Sequence, residues 1–353
     1  MRRALVAARA AAAVVATTAL ATACSSSSAG TTDPSGGGSP VVLRLGFLTN
    51  ITHAPALIGI SKGFFAKELG KNVTLELKPF STGTEEATAL LAGQLDAAYV
   101  GPNPTIKAWQ TSKGSLIRVI SGAASGGAEL VVKKGITSPA QLKGQKLATP
   151  SLGNTQDVAL RYWLSQQHLT TTQTGGGDVP VTPITPNSDA VLEFKSGQIA
   201  GGWEPAPYDI EMVADGGHVL VDEASLWPSG QFVTTNLVVT SKFLKAHAST
   251  VSDLLKGQID SNNYIHQDQA AAESAANAEL AKLTGKSLDA SVVKASFQQI
   301  TFTNDPIPSS LAADAQHAVK VGLLTPVSNL PGLYNLSPLN ALLKTDGQPQ
   351  VSS

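Results

Sequence analysis

From residue 41 onward the chain alternates short apolar runs with amphipathic ones. Residues 41–47 read as a mostly buried strand. Pro55 then falls near the first turn of a helix that takes in Ile58 and the pair Phe64 and Phe65. Val73, Leu75 and Leu77 alternate with polar residues, which is the period of a second strand. Thr82 and Glu85 have capping-box spacing ahead of the run 87–91, and Gly93 is placed to end that helix. Residues 97–100 predict a third strand, and a further helix opens over 104–110. Strand-like runs recur at 128–132 and 232–240, and 146–148 leads through a polar loop into a helix over 157–164. From Ser241 the pattern turns helical, with Ala- and Leu-rich stretches at 251–255, 270–283 and 310–321. Alternation of this kind predicts an α/β fold of βαβ units around mainly parallel sheets.

The pattern also repeats itself. Residues 93–99, GQLDAAY, align 104 positions on with 197–203, GQIAGGW. The same offset pairs Thr84 and Glu85 with Ser188 and Asp189 at the start of the preceding helix. Two similar α/β lobes follow from this, the second interrupting the first. The expected division places 41–127 and 233–353 in lobe 1 and 128–232 in lobe 2, with the runs 128–132 and 232–240 crossing between them.

Composition narrows the function. The chain has 353 residues, 42% hydrophobic and 14% charged, enough apolar material for two domain cores. Residues 1–23 have a basic start, a short Ala-rich apolar stretch and small residues before Cys24, the layout of a secretory signal. Without that leader, which holds Arg2, Arg3 and Arg9, the remaining chain has a net charge of −4. No basic tract remains, so nucleic acid is excluded as a partner. Cys24, the only cysteine, precludes an intrachain disulfide and any Cys/His zinc cluster. The residues around it resemble a bacterial lipobox, with lipid expected on Cys24, although Ala21 stands where a larger aliphatic residue is preferred. The Gly/Ser/Pro/Thr stretch up to residue 40 is expected to be a flexible tether reaching about 20–25 Å.

The candidate chemistry lies in loops after strands. Open α/β sheets bind ligands beyond the carboxyl ends of their strands, where helix N-termini present free N–H groups. Four such loops are rich in hydroxyls, amides and Gly and hold no Arg or Lys: Thr49 to His53 with Asn50 between, Ser81 to Gly83, Gly101 to Asn103, and 150–156 with Ser151, Asn154 and Thr155. These suit a small oxyanion held by neutral donors. Trp203 and Glu204 close the strand of the second lobe that matches Tyr99 in the first. Glu204 facing inward would favour a zwitterion such as an amino-sulfonate; facing outward, it would leave the ligand a simple anion. Trp109, Trp203, Trp227 and Tyr99 are candidates for an apolar wall against an alkyl chain. Asp157 and Arg161, spaced i, i+4, read as a helix-surface pair. No Walker loop or H-E-x-x-H motif is present, and Ser291 and Lys294 form an S-x-x-K spacing without its partner motifs. No cofactor is expected.

The order of these landmarks resembles a known family. Gly46 to Asn50, His53 to Pro55 and Gly63 to Phe65, then Gly93 to Gly101, 142–148 and Trp203 to Pro205, are similar to the nitrate-, taurine- and sulfonate-type substrate-binding proteins of ABC importers. The resemblance spans 41–321. It implies a two-lobed periplasmic-binding-protein-like fold of type II with two crossover strands and a ligand-binding cleft. It also implies a monomer outside the cell membrane that closes on a small solute and delivers it to a permease driven by an ATPase. Ser81, Thr82, Gly101, Ser151, Asn154, Thr155 and Glu204 fall where that family places ligand contacts. An enzyme or sensor for thiamine-precursor-type small molecules on the same fold is the competing expectation.

Overall fold

The computed structural model describes residues 40–353; the leader, Cys24 and nearly all of the tether lie outside the described residues. In chain order the elements are β1 (Val41–Leu48), α1 (Ala54–Ser61), α2 (Phe64–Leu69), β2 (Val73–Phe80), α3 (Gly83–Leu91), β3 (Ala97–Val100), α4 (Pro102–Thr111), β4 (Ile117–Gly126), β5 (Ala128–Lys133), β6 (Leu147–Thr149), α5 (Thr155–Gln166) and β7 (Val181–Pro183). They continue as α6 (Asn187–Ser196), β8 (Gly201–Pro205), α7 (Tyr208–Ala214), β9 (Gly217–Asp222), β10 (Val233–Thr240), α8 (Ser241–Ala246), α9 (Ala248–Gln267), α10 (Gln269–Thr284), α11 (Ala290–Gln298), β11 (Ile300–Phe302), α12 (Pro308–Lys320) and α13 (Ser337–Thr345).

The strands form two sheets, the centres of two lobes. The first has the order β11-β4-β10-β3-β1-β2 and the second β7-β6-β8-β5-β9. β1 pairs parallel with β2 and β3, and β6 parallel with β7 and β8. Long-range strands enter antiparallel: β10 against β3 and β4, and β5 against β8 and β9. The chain passes from the first sheet to the second at Gly127 and returns between β9 and β10. A Cβ on Gly127 would lie 2.4 Å from Ile300 Cγ1, and its φ of +77° is itself a glycine conformation. The first passage therefore admits no side chain.

Strand alternation decides which residues form each core. Leu43, Leu45, Phe47, Tyr99, Leu237 and Val239 face α1, α9 and α10, while Ala98, Val100, Val119 and Val238 face α3, α4 and α12. In the second sheet Leu130, Val132, Leu147 and Trp203 face α5, whereas Val131 and Ala148 face α6 and α7. Each fully buried Leu, Val or Phe contributes about 1.5–3 kcal/mol.

Two details depart from the pattern-based reading. The helix expected from Pro55 through Phe65 is two helices, because Gly63 takes φ +72° between α1 and α2. The capping-box spacing at Thr82 is half used: Thr82 Oγ1 accepts the Glu85 N–H, but the Glu85 carboxylate turns to the Ser81 N–H. The chain beyond 330 packs on the first sheet and its helices. Tyr334 bridges to Val119, and Leu339 and Leu343 of α13 join the core beside α9.

Candidate functional site

The carboxyl ends of the parallel strands meet between the lobes. There β1, β2 and β3 are followed by the N-termini of α1, α3 and α4, and β6 and β7 by those of α5 and α6. These five N-termini open on one cavity lined from the first lobe by Asn50, Thr52, His53, Ser81, Thr82, Gly83 and Gly101, and from the second by Asn154, Thr155, Gln156 and Asn187. Thr234, on the returning strand β10, completes it. The cavity is small, with a volume of about 30 Å³. One water centre needs about 10–15 Å³, so the space suits a compact solute.

No Lys or Arg lines this cavity. An anion there would be met by backbone: first-turn amides, most freely those of α3, α5 and α6, aligned with dipoles worth about 0.3–2 kcal/mol each, whereas Pro55 in α1 and Pro102 and Pro104 in α4 offer no N–H. Local sequence fixes the two main termini. Thr82 caps α3 through the Glu85 N–H at 3.2 Å, and Asn154 caps α5 through the Asp157 N–H at 2.9 Å. Asn187 adds a buried side-chain oxygen without a protein partner.

His53 is a neutral donor. Its Nδ1 accepts the Leu48 N–H at 3.1 Å, so the ring proton resides on Nε2. Complete burial lowers its pKa to about 3, and the ring stays uncharged at physiological pH.

The loop 150–154 is held from beneath by a pair that the spacing alone suggested was superficial. Asp157 and Arg161 are 0% and 2% exposed. The Asp157 carboxylate accepts from Thr149 Oγ1, the Gly153 N–H and Arg161 Nε, each at 2.9 Å. Arg161 Nη1 donates to the Thr172 carbonyl at 2.7 Å. The pair thus positions the second-lobe anion loop, and it is buried because the segment at 171–172 covers α5, a contact that i, i+4 spacing cannot reveal.

The lobes meet at the cavity. Thr84 Oγ1 and Ser151 Oγ are 2.9 Å apart, and a Cβ on Gly101 would stand 2.7 Å from Thr155 Oγ1. Farther out, Gln299 Nε2 donates to Asp209 Oδ2 at 2.8 Å.

Of the twelve expected site residues, Asn50, His53, Ser81, Thr82, Gly101, Asn154 and Thr155 line the cavity. Five do not. Thr49 is half-buried and offers its carbonyl to the Tyr208 hydroxyl. Asn103 is buried against the Asp314 carbonyl. Ser151 serves as the bridge to Thr84. Trp203 is wholly buried, its indole N–H bonded to Glu223 at 2.6 Å. Glu204, next in the chain to the cavity-lining Pro205, is 0% exposed with both carboxylate oxygens unpartnered. Burial, then the charge of Asp209, pushes its carboxyl well above the usual range. The aromatic wall is absent from the cleft: Tyr99 and Trp109 are core residues, and Trp227 lies elsewhere. Sequence reasoning missed Thr52, Gln156, Asn187 and Thr234 as separate candidates. Asn187 stands one residue before the Ser188–Asp189 echo pair, the signal that could have found it.

Comparison with known proteins agrees with this architecture. The taurine-binding periplasmic protein of Escherichia coli (strain K12) is 25% identical over 238 residues, covering 65% of this chain and 70% of that protein. The alkanesulfonate-binding protein SsuA from Xanthomonas axonopodis pv. citri, bound to MOPS, superposes with a TM-score of 0.70 at 17% identity, over 85% of this chain and 100% of its own. The periplasmic nitrate-binding protein NrtA from Synechocystis PCC 6803 gives 0.72 at 15% identity, over 86% and 89%. The desulfurization enzyme DSZB shares the fold too, with a TM-score of 0.64 at 16% identity over 87% and 99%. The model of the NMT1-like family matches residues 36–281, well over half of the chain. With its two-sheet α/β architecture, the chain belongs to the NMT1-like family.

Proposed function

We propose that this protein is the extracytoplasmic solute-binding component of an ABC importer, capturing a compact sulfonate of the taurine type between its lobes. The observation that supports this reading most strongly is the convergence of five helix N-termini and uncharged donors from both lobes on one small cavity lined by no Lys or Arg. Neutral donors in a low-dielectric cleft can replace the hydration of a delocalised oxyanion without the strong trapping a cation would add. A solute that touches both lobes favours the closed arrangement by its differential affinity, and a permease would read that state before its ATPase drives transport. Lipid on Cys24 would keep the monomer tethered outside the membrane.

Two features refine the solute. The absence of tryptophans from the cavity argues against a long alkyl chain. Glu204 does not line the cavity, but its unpartnered carboxyl belongs to the residue next to the lining Pro205, and a solute ammonium that displaces this wall would give it a partner, which favours taurine over nitrate or bicarbonate. Titration calorimetry with taurine, ethanesulfonate, nitrate, bicarbonate and a thiamine-precursor pyrimidine tests this, with taurine expected to bind tightest. Tight nitrate binding without sulfonate binding would contradict it. A product assay run beside it addresses the enzyme reading, to which the cleft offers no cysteine and no charged nucleophile–base pair. Sulfite release from any sulfonate would overturn the transport reading.

A further inference from the structure

On the flank of α5 away from the cleft lies a second, larger pocket, with a volume of about 290 Å³. Its walls are aromatic: Tyr162 and Trp163 on α5, Trp227 on the loop after β9, and His317 on α12. The rings are held in place by one another. Tyr162 stacks on His317 with centroids 3.6 Å apart, Trp227 stacks on Phe232 at 5.7 Å, and Trp163 meets Trp203 edge-on at 6.2 Å. Glu223, 1% exposed, also lines the pocket. Its carboxylate accepts from the indole N–H of Trp203 at 2.6 Å and, more loosely, from that of Trp227 at 3.4 Å. Asp314, one turn before His317 on α12, is buried with Oδ2 unpartnered. Among the described residues neither carboxylate is paired with Lys or Arg.

We propose that this pocket binds a small organic cation, an ammonium carried on an aromatic or short aliphatic body, with the charge directed to Glu223 and the body between the aromatic rings. Aromatic faces attract a cation through their quadrupoles, most strongly where the site is desolvated. A buried carboxylate without a cationic partner supplies the complementary charge. Burial pulls His317 down from its usual value, so the fourth wall does not oppose a cation. Burial pushes Glu223 up to about 7 and Asp314 well above the carboxylate range, the second with a further contribution from Glu223. An added positive charge relieves both. Neutral aromatic compounds would fill the same space without that gain, which makes charge the discriminating feature. The site is separate from the cleft: the two share no lining residue. Because Tyr162 belongs to the second lobe and His317 to the first, an occupant touching both also favours the joined arrangement of the lobes.

The test compares benzylammonium with its neutral counterpart, benzyl alcohol, on the unaltered protein. Tryptophan fluorescence and calorimetry at pH 8 are the readouts. Benzylammonium is expected to quench saturably in the millimolar range and to bind about tenfold more tightly than benzyl alcohol. Leu226→Arg, at an exposed rim position, and Glu223→Gln are each expected to weaken benzylammonium by about tenfold or more, with benzyl alcohol little changed. Equal binding of the two compounds, or no saturable signal from benzylammonium, would overturn the proposal. So would undiminished benzylammonium binding by Leu226→Arg. The amine–alcohol comparison and Leu226→Arg keep the test decisive if Glu223→Gln fails to fold.

Discussion

Gly101→Ala probes how closely the lobes must approach around the solute. The Gly101 backbone, at φ −67° and ψ 161°, is open to any L-residue, so the change costs the first lobe nothing in conformation. Within its own neighbourhood the new methyl would make ordinary contacts, 3.5 Å from the Thr234 carbonyl oxygen and 3.8 Å from Pro104 Cδ. Across the cleft it would stand 2.7 Å from Thr155 Oγ1, where Cβ contacts become ordinary only from 3.4 Å. The hydroxyl or the whole lobe must therefore retreat by about 0.7 Å, from the same two distances. Overpacking of this kind costs about 1–3 kcal/mol, borne only by the closed form, which corresponds to about a 5- to 150-fold loss of affinity. Taurine calorimetry on the wild type, Gly101→Ala, Thr155→Ala and the double variant reads the effect as a cycle. Thr155→Ala alone should weaken binding by about 0.5–1.5 kcal/mol through its lost hydroxyl, with little change in melting temperature. Adding Gly101→Ala to it should cost about 1 kcal/mol less than Gly101→Ala costs alone, because the obstructing atom is gone. Undiminished affinity in Gly101→Ala, or strict additivity in the cycle, would refute the close approach of the lobes at this point.

Three further outcomes follow. Glu204→Gln should lower taurine affinity about tenfold or more while leaving ethanesulfonate unaffected, and taurine binding to the wild type should release a proton, seen as a binding heat that varies with buffer ionisation heat; equal losses for both solutes would show that Glu204 meets no ammonium. His53 is lowered from its usual 6.5 to about 3, so between those values the unfolded chain takes up a proton that the folded chain refuses. The stability of the wild type relative to His53→Gln should accordingly fall as pH drops from about 6.5 toward 3 in urea unfolding; the difference isolates His53, because buried carboxyls such as Glu204 and Asp314, raised by burial, act in the opposite sense. Asp157→Ala leaves Arg161 buried without its partner and should cost about 3–5 kcal/mol in unfolding experiments, whereas Asp157→Leu combined with Arg161→Met should recover most of it.

The periodic positions were the legible part. Leu43, Leu45 and Phe47 alternate because one face of β1 is a core, and the same logic located β2, β3 and the helices after Ser241. Glycines told less, since Gly63 divides a helix that its apolar neighbours would have continued. For the site, loops rich in Ser, Thr and Asn after strands drew attention to positions such as Thr82 and Asn154, which also cap their helices. What sequence could not resolve was the direction of large or charged side chains. Trp203 and Tyr99 are as apolar in a core as in a ligand wall, and only the packing of α5 and α9 places them inside. Asp157 and Arg161 have the spacing of a surface pair, and their burial depends on a segment ten residues away. Glu204 depends on which face of β8 covers α7, a tertiary fact.

The most direct measurement is a crystal structure of the protein with taurine. The sulfonate oxygens are expected within hydrogen-bond distance, about 2.7–3.2 Å, of donors from both lobes, among them the first-turn amides of α3 and α5, His53 Nε2 and the Thr155 hydroxyl, with the ammonium toward Glu204. A solute bound to one lobe alone, held by Lys or Arg, or seated outside this cavity would contradict it.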